Sequence, residues 1–488
     1  MHLRPVLAIG IGLVTLELAM AGRYGFHRDE LYFLACAHHL AWGYVDQPPL
    51  VPAVAKLATD LFGPSVVGAR VLPALAGGAS VVFTGLMARE LGGGRKAQML
   101  AALAAASSPQ LLAAFHLLST TAFDLFFWSA ISLLVLRLMR TGDERLWLAV
   151  GAVAGVGLMN KFNVVFLLVG LGAGLLLGSR GQALRSVWLW GGAALALALW
   201  SPNLIWNAQH QWAAFAMLRS LHQENSTLGA SLGFIPAQFF VVGPVLVVLW
   251  FGGLRQLLRH HLARPFGLAY LVLLVLFTVS GAKPYYLAGM YFVLFAAGGT
   301  WAEARLAARQ PPQGVRGWVT LMTVGAVLAL PLALPVLPES RLAKGPWEGS
   351  INKDLSATVG WPSLVRQIVQ VSATLPATQR AHLVIFTGDY GAAGAVDLYG
   401  GRYRLPHAIS GHNSYWWWGP GNAKDGATTI AVDLPRSYLQ TIFSEVIPAG
   451  SVATPDGVWS EERGDPIWVC RGQRLTWTRA WPAAKHYG

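Results

Sequence analysis

Charge and cysteine are scarce in this chain. Only 12% of its 488 residues are charged, well below the usual share for a soluble domain. The two cysteines, Cys36 and Cys470, belong to no CxxC, and no HExxH or Cys/His cluster occurs. Neither a thiol-redox motif nor a protein-built zinc site is therefore indicated. A disulfide between them would need an oxidising compartment and close approach, so two unpaired thiols are the simpler expectation. The net charge is +13, yet Lys and Arg stand singly or in small groups between apolar runs. Without a basic stripe or a basic-aromatic motif, nucleic acid is excluded as a partner.

What is abundant is apolar. Hydrophobic residues make up 54% of the chain, which also has 20 Trp, and the mean hydropathy is +0.47. A membrane span needs about 20 mostly apolar residues. Eleven such runs are expected, at roughly 5–22, 65–88, 97–116, 122–140, 145–160, 163–179, 186–203, 232–254, 265–281, 285–302 and 317–337. The first could be a signal peptide. A retained helix is preferred, because no clear small-x-small cleavage site precedes the polar loop that follows. Gly77-Gly78 and the small residues near Ala101 suit close helix packing. Every second loop is rich in Lys and Arg, among them Arg89, Arg95 and Lys96, then Arg137, Arg140 and Arg145, then Arg180 and Arg185, then Arg255, Arg259 and Arg264, then Arg305, Arg309 and Arg316. By the positive-inside rule these loops are cytoplasmic. The N-terminus is then cytoplasmic as well, and an odd span count puts the C-terminus outside.

Residues 339 to 488 have no span-length apolar run. HLVIFTGDYG and TTIAVDL look like strands ending in turns, and AAGAVDLYG and RSYLQTIFSEV look like short helices. The expected organisation is a membrane domain, 1–338, followed by a soluble outer α/β domain, 339–488.

Charge gathers in one stretch, RYGFHRDELYFLACAHHLAWGYVDQPPL, residues 23 to 50, opening an outer loop that runs to residue 63. A first interfacial helix is expected over Asp29–Trp42 and a second over Val51–Phe62, since Pro suits a first helical turn. The segment 204–231, with Trp206, Trp212, Phe215 and Leu218, reads as an amphipathic interfacial helix. Asp29 and Glu30 could cap the first of these helices, a task for one acid, or one could be a general base at the membrane surface. Asp46 in GYVDQPPL is either a turn residue or a ligand for sugar hydroxyls or a cation. Asp124, at the outer end of the fourth expected span, should face the protein interior or a cavity, with first-turn capping as the rival reading. Lys161 and Lys283 are nearly isolated cations at outer span ends. They either snorkel or hold a lipid phosphate as point charges, and Arg23 and Arg28 could share that task. Tyr285 and Tyr286 are either interfacial belt residues or substrate contacts, and His27, which borders the acidic pair, is a further candidate substrate contact.

In order, HRDELYF, GYVDQPPL, NKF, PNLIWNAQHQW and GAKPYYLAGMY, with GDYGAAGAVDLYG and SGHNSYWWWGP in the outer domain, resemble a bacterial member of the protein O-mannosyltransferase superfamily, the GT-C fold. The resemblance covers most of the chain. It implies a polytopic helical membrane glycosyltransferase with its catalytic aspartate in the acidic pair, at Asp29 with Glu30 beside it. It also implies a polyprenyl-phosphate-linked sugar donor and inversion at the anomeric centre. The acceptor would be a lipid, glycan or protein hydroxyl, at the outer face of the inner membrane. Two departures stand out. The aminoarabinose transferases of lipid A carry a lysine before the two loop prolines, where this chain has Gln47. The acid of the outer-domain segment GEAGA is Ala392 here, which argues against a part for that domain in catalysis. The resemblance names no cofactor and leaves a divalent cation open. Two rival readings are a flippase of lipid-linked sugars, which would show inverted repeats not seen here, and an O-antigen-ligase-type enzyme, whose large outer loop comes late in the spans.

Overall fold

The computed structural model of this chain describes residues 3–179, 181–225, 227–308, 314–342 and 353–487. Arg180, Arg309 and Gly488 lie outside these. Each expected span falls on a helix or a helix pair. α1 (Leu3–Met20), α4 (Val66–Glu90), α7 (Thr120–Thr141) and α16 (Arg316–Ala333) are long and apolar enough to cross a membrane. Two bent pairs bring the number of candidate spans to six. In the first, α5 (Arg95–Ser107) and α6 (Pro109–His116) meet at 62°. Ser108 there is extended, as a residue before proline must be. In the second, α12 (Leu228–Val242) and α13 (Val247–Arg259) join at a 91° bend, where Gly243 has a positive φ of 93° before Pro244. The remaining expected spans fall on α8 (Leu146–Leu158), α9 (Val164–Ser179), α10 (Val187–Gln209), α14 (Arg264–Ser280) and α15 (Tyr291–Ala307), some short and some less apolar.

Small residues set the close approaches. A Cβ on Gly10 would stand 2.9 Å from the Gly78 carbonyl oxygen, so α1 and α4 touch backbone to backbone. On α15, a Cβ at Gly299 would stand 2.5 Å from the Ala97 oxygen of α5.

Three expected elements are corrected. α10 runs on to Gln209, and the segment 204–231 holds its end, the short helix α11 (Ala213–Asn225) and the start of the next helix at Leu228; Trp212, Phe215 and Leu218 are exposed at the start of α11. Pro284–Met290 is a 3₁₀ turn, and α15 begins at Tyr291 rather than at 285. Outside the bundle, the residues FSEV begin a strand instead of ending a helix. Of the loop helices, α3 (Leu50–Phe62) matches expectation, and α2 (Arg28–His38) starts where expected but ends at His38, four residues before Trp42.

Residues 353–487 contain a five-stranded sheet, in the order β2-β1-β3-β5-β4. The strands are β1 (Val384–Thr387), β2 (Ala408–Ser410), β3 (Thr429–Val432), β4 (Phe443–Ser451) and β5 (Pro466–Gln473). β1 pairs in parallel with β2 and β3, and β5 is antiparallel to β3 and β4. This sheet is bound closely to the first loop. The helix Tyr390–Tyr399 lies on α2 so closely that a Cβ on Gly394 would meet the Leu31 backbone at 2.9 Å. Trp361, Leu364, Tyr390 and Ala393 belong to the same continuous core as Leu31 and Phe33. Cys36 and Cys470 are both buried and unpaired.

Candidate active site

The start of α2 divides the labour of its two acids. The His27 side chain accepts the Asp29 amide hydrogen at 3.1 Å, and Glu30 accepts the His27 amide at 2.8 Å, a reciprocal cap. Asp29 therefore caps nothing. Glu30 turns inward and is fully buried. Arg70 of α4 meets it with two parallel hydrogen bonds, Nε to Oε1 at 3.0 Å and Nη2 to Oε2 at 2.8 Å. The Leu118 amide also donates to Glu30 at 2.9 Å. Arg70 further donates to the carbonyls of Ala21 and Gly25 and touches His116, whose ring meets Glu17 at 3.0 Å. This buried chain fixes where the first loop leaves the bundle. As a correction to the paired reading, Glu30 is a holding group and is not placed to take a proton from substrate.

Asp29 points outward, with its side chain 41% exposed. Tyr390 donates its hydroxyl to Asp29 Oδ1 at 2.8 Å. A cavity of about 280 Å³ opens beside it, walled by His27, Arg28, Lys283 and Tyr285 on one side and by Lys353, Trp459 and Glu461 on the other. Arg28 is already engaged: it pairs with Glu461 at 2.6 Å, and Glu461 also holds Lys353 at 2.5 Å. Glu461 is thus one carboxylate shared by two cations, and Arg28 also lies 3.9 Å from Asp29 and lines the cavity. Arg23 is exposed and does not line the cavity, which corrects its assignment as a phosphate ligand.

Lys161 and Lys283 behave differently. Lys161 is anchored to the Thr121 hydroxyl at 3.1 Å and sits 5.2 Å and 5.4 Å from the ring centres of Tyr285 and Tyr286. Burial lowers its pKa; Asp124 and Asp29 oppose that, and Lys283 adds to it. Lys283 makes no ion pair among the described residues. Two ammonium groups thus repel each other next to the cavity, an arrangement that an anion would relieve. Asp124 is buried and accepts from Asn163 at 2.7 Å. The cap of α7 is Ser119, so first-turn capping by Asp124 is ruled out. The fold thus gathers Asp29, Lys161, Lys283, Tyr285 and Tyr286 with Asp124 behind them.

Asp46 lies one turn along α2 from Asp29, against Tyr32, whose ring packs on Tyr390. Tyr32 donates to Asp46 at 2.7 Å, and burial raises its carboxyl to about 6. Tyr32 and Val45 are tied to Ser414 of the sheet region at 3.3 Å and 3.1 Å, so Asp46 helps to fasten that region down. Gln47 is buried under the loop.

Sequence reading overlooked Arg70, Tyr390 and the Glu17–His116 pair. A signal existed for three of them, because lone ionisable residues within apolar helices mark buried partners. No sequence signal marked Tyr390. Ala392 pointed away from its segment, yet Tyr390, two residues earlier, touches the outward acid. Among the described residues no group of three or more His, Cys, Asp or Glu is placed to hold a metal.

The helical bundle thus carries, in its first loop, an exposed acid beside a cavity lined by cations. The family profile described as dolichyl-phosphate-mannose-protein mannosyltransferase matches residues 46–206. The lipid A galacturonosyltransferase RgtD of Rhizobium johnstonii is 27% identical over 324 residues, 63% of this chain and 66% of that protein, just under two thirds of its length. Among solved structures, ArnT of Cupriavidus metallidurans bound to undecaprenyl phosphate has a TM-score of 0.66 at 15% identity, over 95% of this chain and 97% of that one. The archaeal oligosaccharyltransferase AglB of Archaeoglobus fulgidus, in complex with an inhibitory peptide and a dolichol-phosphate, has a TM-score of 0.51 at 11% identity, over 83% and 64%. The chain therefore shares the fold of ArnT and AglB and is similar over part of its length to membrane glycosyltransferases.

Proposed function

We propose that this protein is an inverting glycosyltransferase that moves a monosaccharide from a polyprenyl phosphate to an acceptor hydroxyl at the outer face of the inner membrane. The observation that carries the reading is the placement of Asp29, a half-exposed carboxylate free of capping duty, on the same cavity as Lys283, which makes no ion pair among the described residues, with Lys161 behind Tyr285. Asp29 takes the acceptor hydroxyl proton as that oxygen attacks the anomeric carbon. The bond from this carbon to the phosphate oxygen breaks on the opposite face. The leaving polyprenyl phosphate gains a negative charge as it departs, and Lys161 and Lys283 stabilise that charge. Tyr285 and Tyr286 hold Lys161 in place, and Asp124 supports it electrostatically.

The relatives' names supply the first reagents to test: undecaprenyl phosphate as the lipid carrier and lipid A as the acceptor, with other glycans and proteins as alternatives. The outer domain, 339–488, lies on the same face as the acid, and the N-terminus is cytoplasmic. The test is transfer of radiolabelled sugar from a polyprenyl-phosphate donor in nanodiscs. Label passing only from a diphosphate donor would favour a ligase-type reaction. Label crossing the bilayer without transfer would favour a flippase.

A further inference from the structure

The parallel strands β2, β1 and β3 are joined by crossovers on opposite faces of the sheet. The helix Tyr390–Tyr399, between β1 and β2, shares a core with Ile385, Ile430 and Val432. The helix Asn413–Trp418, between β2 and β3, puts Trp416 on the other face, against the core of Phe386, Ile409 and Ala431. The winding therefore reverses at β1, and open sheets of this type take ligands in the crevice outside the strand carboxyl ends at such a reversal. A second cavity of about 280 Å³ lies there, lined by Gly388 after β1, Gly411 after β2 and Asp433 after β3.

The floor of this crevice is built by close backbone approach. A Cβ on Gly388 would stand 1.9 Å from the Asp433 oxygen, and one on Gly411 would stand 1.9 Å from the Ala484 oxygen. Asp433 has a positive φ of 57°, a backbone state that Asp tolerates better than most residues. Tyr438 also lines the crevice, and its buried hydroxyl makes no hydrogen bond among the described residues. A polar atom buried in this way calls for a partner. Tyr438 supplies a ring to the wall, above the buried Phe386. Lys485 does not answer Asp433, because its ammonium sits 4.3 Å from the Trp416 ring centre and 5.2 Å from that of Trp417.

The same geometry selects against phosphate. The helix N-terminus beside the crevice, which would otherwise attract an anion, is already capped by Asp389, whose carboxylate accepts the Gly391 and Ala392 amides at 2.6 Å and 3.2 Å. Asp433 is the one carboxylate in the lining and makes no ion pair among the described residues, while the His486 ring is taken up by the carbonyls of Ala484 and Gly388. An apolar ring beside a hydroxyl and a carboxylate suits a ring that has one apolar face and several hydroxyls. We propose that this crevice binds the pyranose ring of an uncharged sugar; its role as a docking point for the acceptor glycan rests on the glycosyltransferase reading above.

Saturation-transfer NMR of the full chain in nanodiscs, with neutral methyl glycosides as probes, tests the site. At least one glycoside should bind. Asp433→Asn and Tyr438→Phe should each weaken it by about tenfold, the scale of one lost hydrogen bond to a charged or buried partner. Asp29→Asn should bind the glycoside as the unaltered protein does even if transfer is lost, which separates this site from the proposed catalytic one. The proposal fails if no neutral glycoside binds, if both crevice variants bind unchanged, or if inorganic phosphate or methyl galacturonide binds in preference.

Discussion

Tyr390 donates its hydroxyl to Asp29 at 2.8 Å, across 361 residues of sequence. The same ring packs on Tyr32, with centroids 4.8 Å apart, and lies under the Arg28 guanidinium at 5.4 Å. One residue of the sheet region thereby orients the acid that the first loop presents.

The first prediction concerns that pair. Asn cannot accept the acceptor's proton, so Asp29→Asn should lower turnover by roughly 10²–10⁴. Because His27 and Glu30 form the helix cap, its melting temperature should stay near that of the unaltered protein. Tyr390→Phe removes only the orienting hydroxyl, and turnover should fall by about tenfold. Near-normal turnover in Asp29→Asn would move the search to Asp46 or Asp124.

Lys161→Met and Lys283→Met should each weaken donor binding by about tenfold or more, through loss of one charge-assisted hydrogen bond of about 1.5–3 kcal/mol. Binding of a fluorescent polyprenyl phosphate gives the measurement. Unchanged affinity in both variants would return the two lysines to interfacial snorkelling.

Glu30 and Arg70 should behave as a structural pair. Removing one partner of a buried ion pair leaves an uncompensated charge and costs about 3–5 kcal/mol. Arg70→Met should therefore lower the thermal midpoint sharply, and Arg70→Met with Glu30→Gln should recover part of the loss. A stable Arg70→Met protein without activity would instead place Arg70 in the chemistry.

Asp46 supplies a pH dependence. Burial raises its folded pKa from 3.8 to about 6. The folded state then holds this proton more tightly than the unfolded state does, so stability falls as pH rises from about 4 to about 6. Asp46→Asn should flatten the thermal-midpoint profile in that window. An unaltered slope would assign it to other acids of the sheet region, such as Asp465, which burial raises to about 7.

The orientation is tested by reporter fusions. A reporter after the last residue should be active outside, and one inserted between Arg259 and Arg264 should be active inside. A cytoplasmic C-terminus would put the Asp29 cavity on the wrong face.

The sequence by itself determined where the helices lie and where the charge collects. Apolar runs near span length have few alternatives, and a charged group beside a bilayer is expensive unless it is used. It also marked Asp29, Lys161 and Lys283, because each is conspicuous against apolar surroundings. It could not tell Asp29 from Glu30, since both sit in the first turn of α2. Only the tertiary structure separated them, when Arg70 of α4 captured one acid and left the other to Tyr390. Likewise only the fold showed Arg28 paired with Glu461 and the sheet region fastened to the first loop. Those pairings join residues hundreds of positions apart. Hydrophobic periodicity and turn chemistry act over a few residues and carry no record of such distant partners.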